Sequence, residues 1–393
     1  MKLAKRIILG IIILGIGVSV LGRVMAQGEL ERKLEIYLQV LDIVKTDFVE
    51  KDLNDEKLVY GSIRGMLSAL DDPYTRFMEP KAYEEMKIRM GGSYSGIGIY
   101  IGIKQEQLTV ISPIEGTPAY KSKLKSGDKI MTIDKKNTKD MALEEAVSLI
   151  RGPQGTKVVL GILRRGWKEA RDFEIVRAKI EIKSLNTKVV DGNIAYVKLN
   201  TFENMKAARE FEAALRKHKD ADGLIVDLRG NGGGLLQNAI EIGSMFIDQG
   251  IIVQTVDREG RREQIESAGR VLWRKPTVVL INESSASASE ILAGALRDNN
   301  SATLVGTKTF GKASVQNVRR LGDGSALLIT IAKYLTPSGE DINKKGIAPD
   351  IEVVLPTEEA EVEVEIEEAE EEDIQLKKAI EVLKAMISER YGG

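Results

Sequence analysis

Gly223-Leu-Ile-Val-Asp-Leu228 is a mostly apolar run that empties into Arg229-Gly-Asn-Gly-Gly-Gly234, and a helical pattern, Leu235–Phe246, follows at once. A short apolar run bounded by glycines reads as a strand covered on both faces. The same grammar recurs on either side. Ile194–Leu199 precedes the helical stretch Ala207–Lys217, and Thr277–Ile281 feeds a small-residue turn before the helix Glu290–Leu296. Ala302–Val305 adds another strand. Buried strands followed by loops and helices predict an α/β core over residues 179–355, with ligands meeting the C-terminal ends of the strands.

Upstream the pattern is different. Residues 94–178 hold short β-rich runs (Ile97–Ile103, Leu108–Ser112, Lys129–Ile133, Val158–Leu163, Asp172–Val176) separated by Glu115-Gly-Thr-Pro118, Ser126-Gly-Asp128 and Arg151-Gly-Pro-Gln-Gly155, with one helix, Ala142–Ile150. The module opens on Ser95-Gly-Ile-Gly-Ile99, where glycines allow several amides to converge on a carboxylate. A bound peptide can also add as a strand at the module's edge. Residues 27–93 read as an N-terminal helical region. Leu34, Tyr37, Leu41, Val44 and Phe48 form one apolar seam, suited to packing on its own domain or on a second copy as a homodimer. Residues 356–393 begin with eleven acidic and no basic residues from Thr357 to Asp373, a solvated linker. The final helix, Ile374–Tyr391, docks on the body or on a partner subunit. The fold class is therefore α/β and β-rich multidomain with N-terminal helices.

The chain has 393 residues, 43% hydrophobic and 30% charged, which suits two or three packed domains and excludes a disordered or polytopic membrane protein. A net charge of −2 gives no basic surplus for nucleic acid. Without cysteine there is no disulfide, thiolate metal site or Cys nucleophile, and the single histidine excludes HExxH and His pairs. His218 lies in Arg216-Lys-His-Lys-Asp220, which reads as a solvated helix end. No metal or cofactor is expected. Lys2, Lys5 and Arg6 precede the uncharged, mostly apolar stretch Ile7–Leu21, at about 1.5 Å per residue roughly 22 Å long. That falls short of a hydrocarbon core of about 30 Å and describes a secretory signal over residues 1–26, or an uncleaved anchor giving membrane association. The rest of the chain is expected to be exported, in the periplasm or on the outer face of the cytoplasmic membrane of a bacterial-type cell.

The chemistry concentrates in Asn282-Glu-Ser-Ser-Ala-Ser-Ala-Ser-Glu290. A hydroxyl at a helix N-terminus lies beside unpaired amides able to stabilise an oxyanion, although serines are also ordinary caps. A serine nucleophile needs a base, and lysine is the alternative to histidine if burial or a nearby positive charge keeps it neutral. Lys312 in Gly311-Lys-Ala-Ser-Val-Gln316 is a candidate. Gln316, four residues on, shares its face in a helix and in a strand. Gly306-Thr-Lys-Thr-Phe-Gly-Lys312 also matches a phosphate loop, but Ala313 stands where magnesium needs a hydroxyl.

Together these residues resemble the carboxyl-terminal processing, or tail-specific, proteases. The resemblance runs from about Leu70 to Val353 through Leu70-Asp-Asp-Pro-Tyr-Thr-Arg-Phe77, Gly96-Ile-Gly-Ile99, Pro113-Ile-Glu-Gly-Thr-Pro-Ala119, Ser126-Gly-Asp-Lys-Ile130 and Ile150-Arg-Gly152. It continues in Asp227-Leu-Arg-Gly-Asn231, Ser285-Ala-Ser-Ala-Ser-Glu-Ile291, Phe310-Gly-Lys312 and Gly346-Ile-Ala-Pro-Asp350. It implies a PDZ domain over 94–178 on an α/β serine-protease core. It further implies Ser287 as nucleophile, Lys312 as general base, Gln316 as its orienting partner, and the amides of Gly233 and Ala288 as the oxyanion site. Gly96, Ile97, Gly98 and Ile99 would receive the C-terminus of a protein or peptide substrate with apolar terminal residues, and Arg151 would couple this domain to the catalytic site. A non-catalytic PDZ adaptor of the cell envelope is the alternative. Two departures stand out: Ser122-Lys-Leu124 where the family often has Ala-Gly-Leu, and Asn231-Gly-Gly233 where Asn-Pro-Gly is commoner.

Overall fold

The computed structural model describes residues 28–354 and 373–391, and the chain divides into two compact units between Ala69 and Leu70. The candidate signal segment lies outside the described residues. Among these, no helix is long and apolar enough to cross a membrane.

In the first unit a helix over 28–47 precedes the helix Asp55–Ser68, whose first turn is capped by Asn54 Oδ1 accepting from the Lys57 N–H at 2.9 Å. A Lys45–Asp55 ion pair of 2.9 Å and a Tyr37 to Ser62 hydroxyl bond of 2.8 Å tie these helices together. The seam is covered only in part: Leu41 and Val44 are half-buried, while Leu34, Tyr37 and Phe48 are exposed.

The second unit contains the α/β core. Its sheet runs Leu185–Val190, Ile194–Leu199, Gly223–Asp227, Thr277–Ile281, Thr303–Gly306, Ile351–Glu352. The first pair is antiparallel and every later pair parallel. Alternation along each strand sorts the side chains into two cores. Leu224, Val226, Val279 and Ile281 face the helices Ala207–Lys217, Leu236–Gly243 and Ala288–Asp298. Ile225, Val278 and Leu280 face the opposite way, onto Ala379 and Leu383 of the C-terminal helix Ile374–Tyr391. That helix, left open in the sequence between body and partner, is a layer of the body. With both faces covered, the central strands are apolar throughout.

A second sheet pairs Ala326–Leu335 with Arg76–Met78, Ile251–Asp257 and Ser314–Arg320, and Arg262–Glu266 extends it. It brings the stretch from Leu70 to Phe77 beside the loop before Ser314. The β-rich module has its own core around Ile97, Val110, Ile130, Ala146, Leu160 and Ile162. Its strands are Ile99–Lys104, Gln107–Pro113, Lys129–Ile133, the short Lys136–Asn137, Lys157–Leu163 and Arg171–Val176, with the helix Leu143–Ile150 alongside. The chain enters and leaves through the antiparallel pair Ser93–Gly96 and Ala178–Glu181. The departure at Lys123 has a backbone meaning: its φ of 61° is the left-handed conformation that a glycine adopts without strain. The helix Pro80–Gly91, grouped with the N-terminal helices in the sequence, belongs to this second unit.

Candidate active site

Three of the candidate segments leave the C-terminal ends of neighbouring parallel strands, where open α/β sheets place their ligands. Residues 229–234 follow Gly223–Asp227, 282–287 follow Thr277–Ile281, and 307–312 follow Thr303–Gly306. They meet at a cavity of about 370 Å³ lined in part by Gly233, Ser287, Ala288, Lys312, Gln316 and Tyr334. Every candidate catalytic and oxyanion residue therefore lies on one cavity.

Ser287 occupies the cap position of the helix Ala288–Asp298 with φ 57° and ψ −115°, a strained backbone for a non-glycine residue. The turn is held from both sides. Ser285 Oγ donates to the Leu228 carbonyl at 2.9 Å, Ser289 Oγ to the Asn231 carbonyl at 2.8 Å, and the Ala286 N–H to the Asn231 carbonyl at 3.1 Å. Ser285 and Ser289 thus staple the turn that carries Ser287 to the glycine loop. Gly233 presses against that turn so closely that an added Cβ would stand 2.6 Å from the Ala286 carbonyl oxygen and 2.9 Å from Ser287 Cβ. As the first residue of a helix, Ala288 has an N–H with no intrahelical partner, and no other partner occurs among the described residues. The Gly233 N–H, in contrast, donates to Asn231 Oδ1 at 2.9 Å.

Lys312 is half-buried. Burial first, and then the Arg76 guanidinium, lower its pKa below the usual lysine value, against weaker opposing effects of Asp72 and Glu290. Its Nζ sits over the Tyr74 ring, 4.5 Å from the centroid. Among the described residues no hydrogen bond joins Nζ to Ser287 or Gln316. Gln316 Nε2 donates instead to Ser314 Oγ at 2.7 Å and Thr330 Oγ1 at 3.4 Å. The even spacing from Lys312 does not carry through a regular strand: the strand starts at Ser314 and its register shifts between Val315 and Gln316.

Glu290 links the candidate nucleophile and base, a contact the sequence did not reveal. It is 1% exposed. Oε2 accepts from the N–H groups of Ser287 and Lys312, both at 2.9 Å, while Oε1 accepts from the Gly311 N–H at 2.7 Å and Thr309 Oγ1 at 2.6 Å. Tyr334 adds its hydroxyl, which donates to the Lys312 carbonyl; burial, aided by Glu290, pushes its pKa well above the usual tyrosine value and keeps it a donor. Tyr74, Arg76 and Tyr334 were also missed. The only available signal for the first two was that their segment, Leu70–Phe77, carried a family motif with no role attached.

His218 closes the Ala207–Lys217 helix half-buried, with its pKa lowered by desolvation and then by Lys217, and it lines no part of the cavity. The phosphate-loop pattern ends in a strand rather than a helix, and Gly311 packs against the backbone at Lys344–Gly346.

A second groove, of about 1050 Å³, runs between the strand Ile99–Lys104 and the helix Leu143–Ile150, with Gly96, Ile97, Gly98, Ile99, Val147 and Arg151 on its walls. That strand pairs on one side only among the described residues, with Gln107–Pro113. Ile97 and Gly98 fall between two ladders, and neither N–H donates a hydrogen bond among the described residues. Gly98 has φ 79°, and a Cβ there would collide with Thr117. Arg151 pairs with Glu85 on the helix Pro80–Gly91 and stacks over Tyr94, 4.9 Å from ring centroid. One turn on, Arg89 Nε binds Glu203 Oε2 at 2.8 Å, and Arg89 borders both groove and cavity.

Models of known families match successive parts of the chain. The model for peptidase family S41 matches residues 193–353, the PDZ domain model residues 85–163, and the N-terminal domain of the activating protease CtpB residues 21–82. The carboxyl-terminal-processing protease of Synechocystis sp. is 39% identical over 316 residues, covering 78% of this chain and 74% of that protein. The carboxy-terminal processing protease CtpA of Bacillus subtilis is 38% identical over 341 residues, covering 86% and 72%. A solved photosystem II D1 C-terminal processing protease is 32% identical, covering 81% and 86%, with a TM-score of 0.48.

Proposed function

The chain belongs to the carboxyl-terminal processing proteases of peptidase family S41, and we propose that it cuts near the C-termini of protein substrates by a Ser287–Lys312 mechanism. The observation that carries this is a half-buried lysine, its pKa lowered by burial, opening onto the same cavity as a serine at a helix N-terminus, with the two backbones bound to one carboxylate. Neutral Lys312 takes the Ser287 Oγ proton as the oxygen attacks the scissile carbonyl carbon. The oxyanion forms under the Ala288 N–H, joined by the Gly233 N–H once Asn231 Oδ1 releases it. Collapse breaks the C–N bond, and the leaving amine takes the proton from the Lys312 ammonium. Water then attacks the acyl ester with Lys312 again the base, returning Ser287.

For this cycle Lys312 Nζ must leave the Tyr74 ring for Ser287, with Gln316 orienting it. We read this as the step that substrate capture drives. A C-terminus adds along Ile99–Lys104, its carboxylate on the Ile97 and Gly98 amides and its apolar side chains toward Val147. Arg151 lies at the groove's end, and its bond to Glu85 passes the displacement to the helix Pro80–Gly91 between groove and cavity. The basic and apolar stretch over residues 1–26 supports reading the protein as exported.

Mass spectrometry of an unfolded protein ending in apolar residues tests this, incubated with wild type, Ser287→Ala and Lys312→Ala. Truncation by wild type alone supports the assignment. Cleavage by Ser287→Ala at the wild-type rate would overturn the nucleophile. Binding without cleavage by all three proteins would favour the adaptor.

A further inference from the structure

We propose that Asp373, the residue that ends the acidic run, is a positioning residue for the oxyanion loop, acting through Arg229. The inference rests on the protease reading above. Arg229 stands at the base of the loop that carries Gly233, and its guanidinium is shared between two carboxylates. Asp227, fully buried, accepts from Nε at 3.0 Å and from one terminal nitrogen at 2.7 Å. Asp373 takes both terminal nitrogens in a fork, each at 2.8 Å, and Gln375 Oε1 accepts from one of them at 3.2 Å. Such two-pronged carboxylate–guanidinium pairs fix orientation as well as charge. On the far side Asp227 accepts from the Tyr196 hydroxyl at 2.6 Å.

The loop beyond Arg229 is pinned to its neighbours through the Asn231 carbonyl, as described above, and through the Gly233 carbonyl, which accepts from the Phe202 N–H at 3.0 Å. Gly230 N–H reaches Asn282 Oδ1 at 3.0 Å, and Asn282 Oδ1 also accepts from the Ser284 N–H at 3.2 Å in the nucleophile turn. Asn231 Nδ2 donates to the Leu199 carbonyl at 2.7 Å while its Oδ1 holds the Gly233 N–H. In this proposal the orientation of Arg229, at the start of the loop, sets how the glycine amides meet Ser287. Asp373 belongs to a different layer, where it also caps the C-terminal helix by accepting from the Leu376 N–H at 2.9 Å. Docking of that helix on the sheet thereby aims a carboxylate at the loop base from outside the catalytic segments.

Capping and clamping are separable, because serine and asparagine also cap helices while neither offers Arg229 a charged fork. Full-length wild type, Asp373→Asn and Asp373→Ser are compared in peptide turnover and by amide hydrogen exchange. The expected order of kcat is wild type, then Asn, then Ser, with Ser about tenfold down, a fraction of the loss from deleting an oxyanion donor. KM should stay within about twofold, since Asp373 lines neither the groove nor the cavity. Exchange should quicken across 229–234 and remain unchanged across 374–391. Wild-type kcat and unchanged loop exchange in Asp373→Ser would overturn the proposal, as would equal loosening of the C-terminal helix. If wild type turns over no peptide, the protease reading fails while the exchange comparison still decides the clamp.

Discussion

Replacing Glu290 by glutamine changes one atom and leaves the volume intact, yet it should disable the site. Each carboxylate oxygen faces at least two donors: Oε2 the N–H groups of Ser287 and Lys312, Oε1 the Gly311 N–H and Thr309 Oγ1. Whichever way the amide turns, its NH2 points at two donors, so two charge-assisted bonds are lost. At about 1.5–3 kcal/mol for each hydrogen bond to a charged group, the cost is roughly 3–6 kcal/mol, a large part of a typical stability of about 5–15 kcal/mol. Local relaxation can reduce it only by letting the nucleophile turn and the lysine loop separate, which costs activity instead. The assay pairs urea unfolding, followed by tryptophan fluorescence, with kcat on a C-terminal peptide. The expected result is a lower urea midpoint together with at least a hundredfold loss in kcat, about 2.7 kcal/mol in the barrier. Glu290→Gln with wild-type midpoint and wild-type kcat would refute the reasoning, because the carboxylate would then hold neither loop.

Three further outcomes follow from particular contacts. Arg76 helps hold the Lys312 pKa down, so Arg76→Gln should raise that pKa and move the rising limb of kcat/KM toward alkaline pH; a rise of about 1 costs about tenfold in rate at neutral pH and nothing well above it. Asp72→Asn should move the limb the other way, and a profile unmoved in both would remove these charges from the account. Gly98→Ala should weaken peptide capture at least about tenfold by fluorescence anisotropy, since a side chain at φ 79° meets Thr117; an unchanged Kd would place the carboxylate elsewhere. Leu383, fully buried against the sheet, should lose about 2–5 kcal/mol on replacement by alanine in the same urea assay.

The elements were legible because their causes are local. Apolar runs bounded by turns and helical spacing placed Thr277–Ile281, Ala207–Lys217 and Ile374–Tyr391 with the bounds the structure has. Glycine and proline punctuation separated the β-rich module from the α/β core. A chain with one histidine and no cysteine offers few routes to a nucleophile and base, which drew attention to the serine run at 284–289 and to Lys312; the choice of Ser287 within that run came from the resemblance to the carboxyl-terminal processing proteases. What the sequence could not disclose depends on contacts between segments far apart along it. Tyr74 and Arg76 surround a lysine more than two hundred residues away because their strand pairs with Ala326–Leu335. Glu290 reads as an ordinary N-terminal helix acid until the fold delivers Thr309, Gly311 and Lys312 to it. The parity argument for Gln316 ended at a register shift that follows from strand pairing, not from composition. Sequence alone thus determined which residues were chemically able to act, because ability belongs to side-chain type and local backbone. Only the tertiary structure decided which of them share a cavity and which carboxylate holds them there, because burial and long-range hydrogen bonds exist only once the layers close.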